Sequence, residues 1–109
     1  MRTLLPSFTL AVILSGLIVP ASLQAQEDAA KTYKANCVQC HSANGSSDSP
    51  AGKALKAKDL RSPEVQTQTD TQLAEIITKG KGKMPPFGSK IKPEDASKLV
   101  AYVRSLAKK

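Results

Sequence analysis

The 109-residue chain has no tryptophan, one histidine, two cysteines and two methionines, and aromatic residues make up only 4% of it. Each scarcity closes something off. One histidine and two cysteines cannot supply the four ligands of a structural zinc site. A single histidine also leaves no second imidazole for acid–base work. Only residues 65–69 alternate as a strand would, and no second run exists to pair with them, so the expected fold class is all-α. The length allows one domain and excludes a multidomain enzyme.

Core-forming side chains are scarce too. Residues 1–25 hold 15 of the 44 apolar residues, leaving 29 for residues 26–109, of which 11 are alanine and 2 are cysteine. The remaining 16 larger side chains must stabilise a domain whose surface-to-volume ratio is already unfavourable. Scaffolds of this size need a staple such as a disulfide, a metal or another added core.

Residues 1–25 have the pattern of a secretory leader. Arg2 supplies a positive charge, residues 10–21 form an apolar run, and Ala25 offers a small residue at a cleavage position before Gln26. The run is shorter than the ~20 residues a membrane-spanning helix needs. The expected organisation is a cleaved leader over 1–25 and one domain over 26–109, placed in a periplasm or another exported compartment. An uncleaved N-terminal anchor is the alternative.

Along the rest of the chain, residues 27–40 suit a helix with Glu27 and Asp28 in its first turn. Tyr33, Cys37 and Cys40 would share one face of it. Residues 42–50 read as a loop, 51–58 as a short helix anchored by Leu55, and 60–68 as a turn or irregular stretch. Thr69 and Gln72 form a capping-box signature ahead of Leu73, Ile76 and Ile77, and Gly80 stops that helix. Glycines and prolines keep residues 81–89 looped. Pro93 opens a last helix with Ala96, Leu99, Val100, Val103 and Leu106 on its apolar face.

The string Cys37-Val38-Gln39-Cys40-His41 carries the chemistry. Two thiols three residues apart followed by histidine is the attachment signature of a c-type haem. On a helix the thiols lie about one turn apart on one side and can bond to a single porphyrin, and the next residue projects beneath it to meet the iron. Three other readings use the same residues. A thioredoxin-like pair wants a βαβ context, which is lacking; zinc wants more ligands; a disulfide between Cys37 and Cys40 closes so small a loop that it stabilises little. A haem would also furnish the missing core, a flat apolar surface for the 16 larger side chains to pack around.

With His41 as one axial ligand, bis-histidine ligation is excluded because no other histidine exists. Met84 is the one methionine of residues 26–109 and stands in Gly82-Lys83-Met84-Pro85-Pro86-Phe87. The following proline restricts it to extended geometry, which suits a thioether presented in one direction. A soft sulfur ligand favours ferrous iron and raises the reduction potential relative to two imidazoles. The alternative role for Met84 is a filler in the core.

On these residues the chain resembles the class I c-type cytochromes, specifically the short bacterial and algal type with one haem. The resemblance covers residues 28–107. It rests on Tyr33 four before Cys37, on Cys37 to His41, on the helix leading into Met84-Pro85, and on Leu99, Tyr102 and Val103 in the last helix. It implies N- and C-terminal helices that cross around one covalently attached haem c, with one haem edge exposed. It implies thioethers at Cys37 and Cys40, His41 and Met84 as iron ligands, and Tyr33, Tyr102 and Leu99 at the crossing. It further implies that the Pro50 carbonyl accepts the His41 ring N–H and that Arg61 is a candidate partner for a haem propionate. Ala29 departs from the family, which usually has glycine eight residues before the first cysteine.

Residues 26–109 carry 15 basic and 9 acidic residues, and 13 of the basic ones are lysine. Two arginines and three aromatics are a poor kit for reading nucleic acid. Lys79, Lys81, Lys83, Lys90 and Lys92 flank Met84 and would ring an exposed haem edge. Such a ring steers acidic-surfaced redox proteins into brief contact; the alternative is solubility charge on flexible loops. The expected function is a soluble, monomeric one-electron carrier rather than an enzyme, with no stable membrane insertion after cleavage. The alternatives are a haem-bearing subunit fixed in a larger oxidase or dehydrogenase complex, and a peroxidase or gas sensor in which Met84 leaves the iron.

Overall fold

The computed structural model describes residues 11–109, in which residues 11–20 have no regular secondary structure and are exposed. The expected leader therefore lies partly outside the described residues. Six helices follow: α1 Ala21–Asn36, α2 Val38–His41, α3 Pro50–Leu55, α4 Pro63–Gln66, α5 Asp70–Lys79 and α6 Pro93–Leu106. Among the described residues there is no strand beyond one isolated bridge between Lys81 and Met84. No helix among them is long and apolar enough to cross a membrane.

Helix α1 starts earlier than its charges imply. Pro20 stands at its N-cap with φ −58° and ψ 142°, and the helix begins at Ala21, so Glu27 and Asp28 fall beyond the first turn. It also ends earlier, at Asn36. Cys37 is a turn between α1 and α2, although its N–H still donates to Tyr33 O at 2.8 Å and its carbonyl accepts from His41 N–H at 2.9 Å. These bonds preserve helical spacing across the junction. Residues 63–66, expected to be irregular, make a single helical turn that Pro63 opens and that buries Val65. Leu55, expected to anchor α3, is 42% exposed.

The last two long helices follow their caps. Thr69 Oγ1 accepts from Gln72 N–H at 3.1 Å while the Gln72 side chain accepts from Thr69 N–H at 2.9 Å, closing the capping box of α5. All five apolar positions of α6 are buried. Each larger one contributes about 1.5–3 kcal/mol by leaving water.

Helix α6 packs on both α1 and α5. At the α1–α6 crossing the rings of Tyr33 and Tyr102 meet with centroids 5.0 Å apart, beside fully buried Leu99. Ala29 is buried on α1. Helices α2 and α3 form a second pair. Leu73 of α5 packs with Val100 and Val103 of α6 and with Val65, and the same four side chains line a large cavity.

Candidate functional site

The cavity has a volume of about 590 Å³ and receives residues from every part of the described domain. Cys37, Cys40 and His41 line it from the α1–α2 corner, and Met84 lines it from the loop after α5. Its apolar walls come from α4, α5 and α6 through Val65, Leu73, Ile77, Val100 and Val103. Where a small domain should hold packed side chains, this one holds an apolar chamber ringed by sulfur and nitrogen donors.

The His41 ring is fixed by a long loop. Its Nδ1 lies 3.0 Å from Lys58 O and 3.1 Å from Ser47 Oγ. A carbonyl only accepts, so Nδ1 carries the ring proton and donates it, which leaves the lone pair on Nε2. Burial holds the His41 pKa below its ordinary value, and the bond to Lys58 O opposes that shift without reversing it. The ring is therefore a neutral nitrogen donor, the form in which histidine ligates a metal.

How Lys58 O reaches His41 is local chemistry. Ser49 caps α3, accepting from Gly52 N–H at 3.0 Å and donating to Gln39 O at 2.8 Å. Gly52 lies so close to the Cys37–His41 segment that a methyl there would run into Cys40 O and stand 2.5 Å from Ser47 O. Helix α3 then closes with Ala57 N–H on Gly52 O at 2.9 Å and Lys56 in the left-handed region at φ 53°. Leu60 N–H donates to Gly45 O at 2.8 Å and completes the loop.

Pro50 and Arg61 do not take the positions expected of them. Pro50 is the first residue of α3, where its missing N–H is harmless, and the carbonyl that faces His41 Nδ1 is Lys58 O rather than Pro50 O. Arg61 does not line the cavity. Its guanidinium forms a fork with Asp59, Nε to Oδ1 and Nη2 to Oδ2 both at 3.0 Å. The pair is exposed on both sides and directs the guanidinium to Asp59.

The thiols of Cys37 and Cys40 are not bonded to each other. Burial, and after it the neighbouring Cys40, pushes the Cys37 thiol up to about 11. Among the described residues, no group of three or more histidine, cysteine, aspartate or glutamate side chains converges to hold a metal ion. A thiol held that high is a poor nucleophile at neutral pH, which argues against a reactive thiolate pair.

Met84 is held by a small turn. Lys81 and Met84 exchange backbone hydrogen bonds of 3.1 and 3.0 Å, with Gly82 between them at φ 57°. Gly80 has φ 75°, and a Cβ there would lie 2.7 Å from Met84 O and 2.8 Å from Pro86 N. Phe87 and Gly88 then return to α5, donating to Ile77 O and Thr78 O at 3.0 Å each.

The five lysines flanking Met84 are all exposed. Lys81, Lys83 and Lys90 line the cavity, joined by exposed Lys56 and Lys58 from the other loop. Lys79 lies 3.8 Å from Glu75 on the outside of α5, and Lys92 stands at the N-cap of α6. Neither lines the cavity.

The donor set fits a covalently attached haem: two thiols, a neutral imidazole and a thioether in apolar walls, with no charged side chain buried among the described residues. Sequence reasoning missed Ser47, Lys58 O and Gly52. Of these only Gly52 leaves a sequence trace, as a glycine inside a helical stretch, which marks close backbone approach.

A family model described as cytochrome c oxidase, cbb3-type, subunit III, matches residues 24–103. The chain is 33% identical over 112 residues to cytochrome c6 of Gloeothece citriformis (strain PCC 7424), across 100% of this chain and 98% of that protein. It is 37% identical over 84 residues to cytochrome c6 of Microcystis aeruginosa, across 75% of this chain and 98% of that one. Among solved structures, the KustC0563 c-type cytochrome superposes with a TM-score of 0.67 at 32% identity, covering 72% of this chain and 96% of its own. Family model, relatives and helical architecture agree, and the chain belongs to the class I c-type cytochromes, electron-transfer proteins that bind haem c covalently and are not enzymes.

Proposed function

We propose that this chain is an exported, soluble, monomeric carrier that holds a single haem c and moves one electron at a time between redox partners. In this reading residues 1–25 are a leader removed after Ala25. Cys37 and Cys40 form the thioethers, and His41 Nε2 and Met84 Sδ are the axial ligands. The observation that carries it is the convergence of Cys37, Cys40, His41 and Met84 on one apolar cavity.

The bound haem supplies an iron centre that takes up and gives out a single electron. The protein supplies the rest. Cys37 and Cys40 tether the group from the corner of two helices. Lys58 O holds the His41 proton on Nδ1 and so keeps Nε2 a donor. The turn closed by Lys81 and Met84 presents the thioether, and the apolar side chains of α5 and α6 exclude water. With His41 and Met84 both holding the iron, the protein would leave no coordination site for a substrate. Lys81, Lys83 and Lys90 at the cavity, with Lys56 beside them, attract acidic-surfaced partners and let them go, while Lys58 is paired with Glu64 at 2.9 Å.

The test is the absorption spectrum of the purified protein, oxidised and reduced, alongside Met84→Ala. Wild type should be low-spin with a sulfur-to-iron band, and its ferrous form should ignore carbon monoxide at neutral pH. Met84→Ala should lose the band, lower the midpoint potential and bind carbon monoxide. Avid binding by wild type overturns the carrier reading.

The family model's description as an oxidase subunit favours a second reading, a haem-bearing subunit fixed in a larger complex. The two differ in partner lifetime. Release of the haem protein as a monomer from the exported fraction supports the carrier, and recovery only within a large assembly supports the subunit.

A further inference from the structure

Among the described residues, Ser47 is the only polar side chain in the buried class, at 5% exposed. It adopts φ 60°, a left-handed conformation that is uncommon for a residue with a side chain. Its surroundings hold it there. Its N–H donates to His41 O at 3.0 Å, and Gly52 packs against its carbonyl. Its hydroxyl donates to Lys58 O at 2.5 Å and lies 3.1 Å from His41 Nδ1.

Counting protons assigns the direction of each bond. Lys58 O has no proton to give, so the Ser47 hydroxyl proton goes to it. Ser47 Oγ can then only accept from His41. The Nδ1 proton thus faces two acceptors, one a carbonyl and the other a hydroxyl whose own proton is committed elsewhere.

We propose that the Ser47 hydroxyl is a positioning residue that shares the His41 ring proton with Lys58 O and thereby lowers the midpoint potential of the haem. The inference rests on His41 being an axial ligand. An acceptor that draws on Nδ1–H makes the ring a stronger electron donor through Nε2, which favours ferric iron. Removing the hydroxyl has two opposed effects. The ring proton loses a whole partner, and Lys58 O, relieved of the Ser47 bond, becomes a somewhat better acceptor. Polarisation of that second kind changes a bond by roughly 10–30%, so the lost partner dominates and the potential rises.

The test uses the haem-loaded protein with Ser47→Ala and Ser47→Gly. Both remove the hydroxyl, but glycine accepts φ 60° without strain and alanine does not. Both variants should shift the midpoint potential to more positive values. Both should also move the His41 Nδ1–H proton resonance of the reduced protein to higher field, as a weakened hydrogen bond does. An unchanged or lowered potential in both variants overturns the proposal, and so does a shift in Ser47→Ala alone, which would mark backbone displacement. The reduced wild type separates this failure from a deeper one. If its His41 ring protons lack the large shift that haem ring current imposes on an axial ligand, the ligand assignment falls and the Ser47 role falls with it.

Discussion

The rings of Tyr33 and Tyr102 meet at 5.0 Å with their planes inclined by 46°, and the Tyr33 hydroxyl goes on to donate to Ser42 O at 2.6 Å. One tyrosine thus ties the crossing of α1 and α6 to the loop that begins just after His41. Tyr33→Phe keeps the ring and loses the bond, and should cost about 1 kcal/mol in denaturant unfolding. Tyr102→Ala loses the aromatic pair and its burial, and should cost about 3 kcal/mol. A smaller effect at Tyr102 than at Tyr33 would mean that the hydroxyl, not the ring contact, holds the crossing.

Burial raises the Tyr33 pKa above that of a free phenol. A raised value means that the fold favours the protonated form. That stability is fully present below the ordinary phenol pKa near 10 and is lost as pH rises above it. The melting temperature of the wild type should fall as pH rises from about 10 to about 11.5, and Tyr33→Phe should fall less steeply. Parallel curves would remove Tyr33 from the alkaline transition.

Gly80→Ala places a methyl against Met84 O and Pro86 N at a backbone angle of φ 75°. The strain should be about 1–3 kcal/mol and should fall on the Met84 loop. The expected result is a weakened sulfur-to-iron band with the proximal side intact. Gly52→Ala strikes the other side, against Cys40 O and Ser47 O, and should lower the yield of haem-loaded protein instead. Equal effects of the two changes on the band would contradict this division.

Arg104 joins α6 to the start of α5. Its Nη1 donates to Gln66 O at 2.9 Å, and its Nη2 donates to Gln68 O at 2.6 Å and to Asp70 Oδ1 at 2.8 Å. The arginine is mostly buried and Asp70 is 79% exposed, so the carbonyl bonds matter more than the ion pair. Arg104→Met should cost about 2–3 kcal/mol and Asp70→Asn less than about 1 kcal/mol. Chemical denaturation of both variants decides the order.

Replacing Lys81 and Lys83 by glutamine should slow reduction by an acidic partner about threefold or more at low ionic strength and flatten the salt dependence. Unchanged stopped-flow rates would move the docking surface elsewhere.

Helices α5 and α6 were legible because their signals are local: a capping box at Thr69 and Gln72, a proline at Pro93, and apolar residues at helical spacing. Helix α4 was hidden because one turn is too short to show a period, and Val65 to Thr69 alternates by coincidence. Of the candidate site, Cys37, Cys40, His41 and Met84 share the cavity that the motif and the proline-flanked methionine implied. The acceptor for His41 was not legible, since a backbone carbonyl is the same at every residue and its position comes from the turn that ends α3. Arg61 is a related case: its charge is written in the sequence, but its pairing with Asp59 depends on the path of the chain.

The two sides of the cavity are closed over different lengths of chain. His41 and the carbonyl that orients it are 17 residues apart, whereas Met84 lies 43 residues beyond His41. Closing the longer loop costs about 0.8 kcal/mol more in chain entropy, and Met84 is held by a turn on an exposed loop rather than by a covalent tether. Partial unfolding should therefore proceed in order, with the methionine side opening while the histidine side stays assembled. An intermediate of that kind would keep Cys37, Cys40, His41 and the Lys58 carbonyl assembled, and only one loop would have to find its place again.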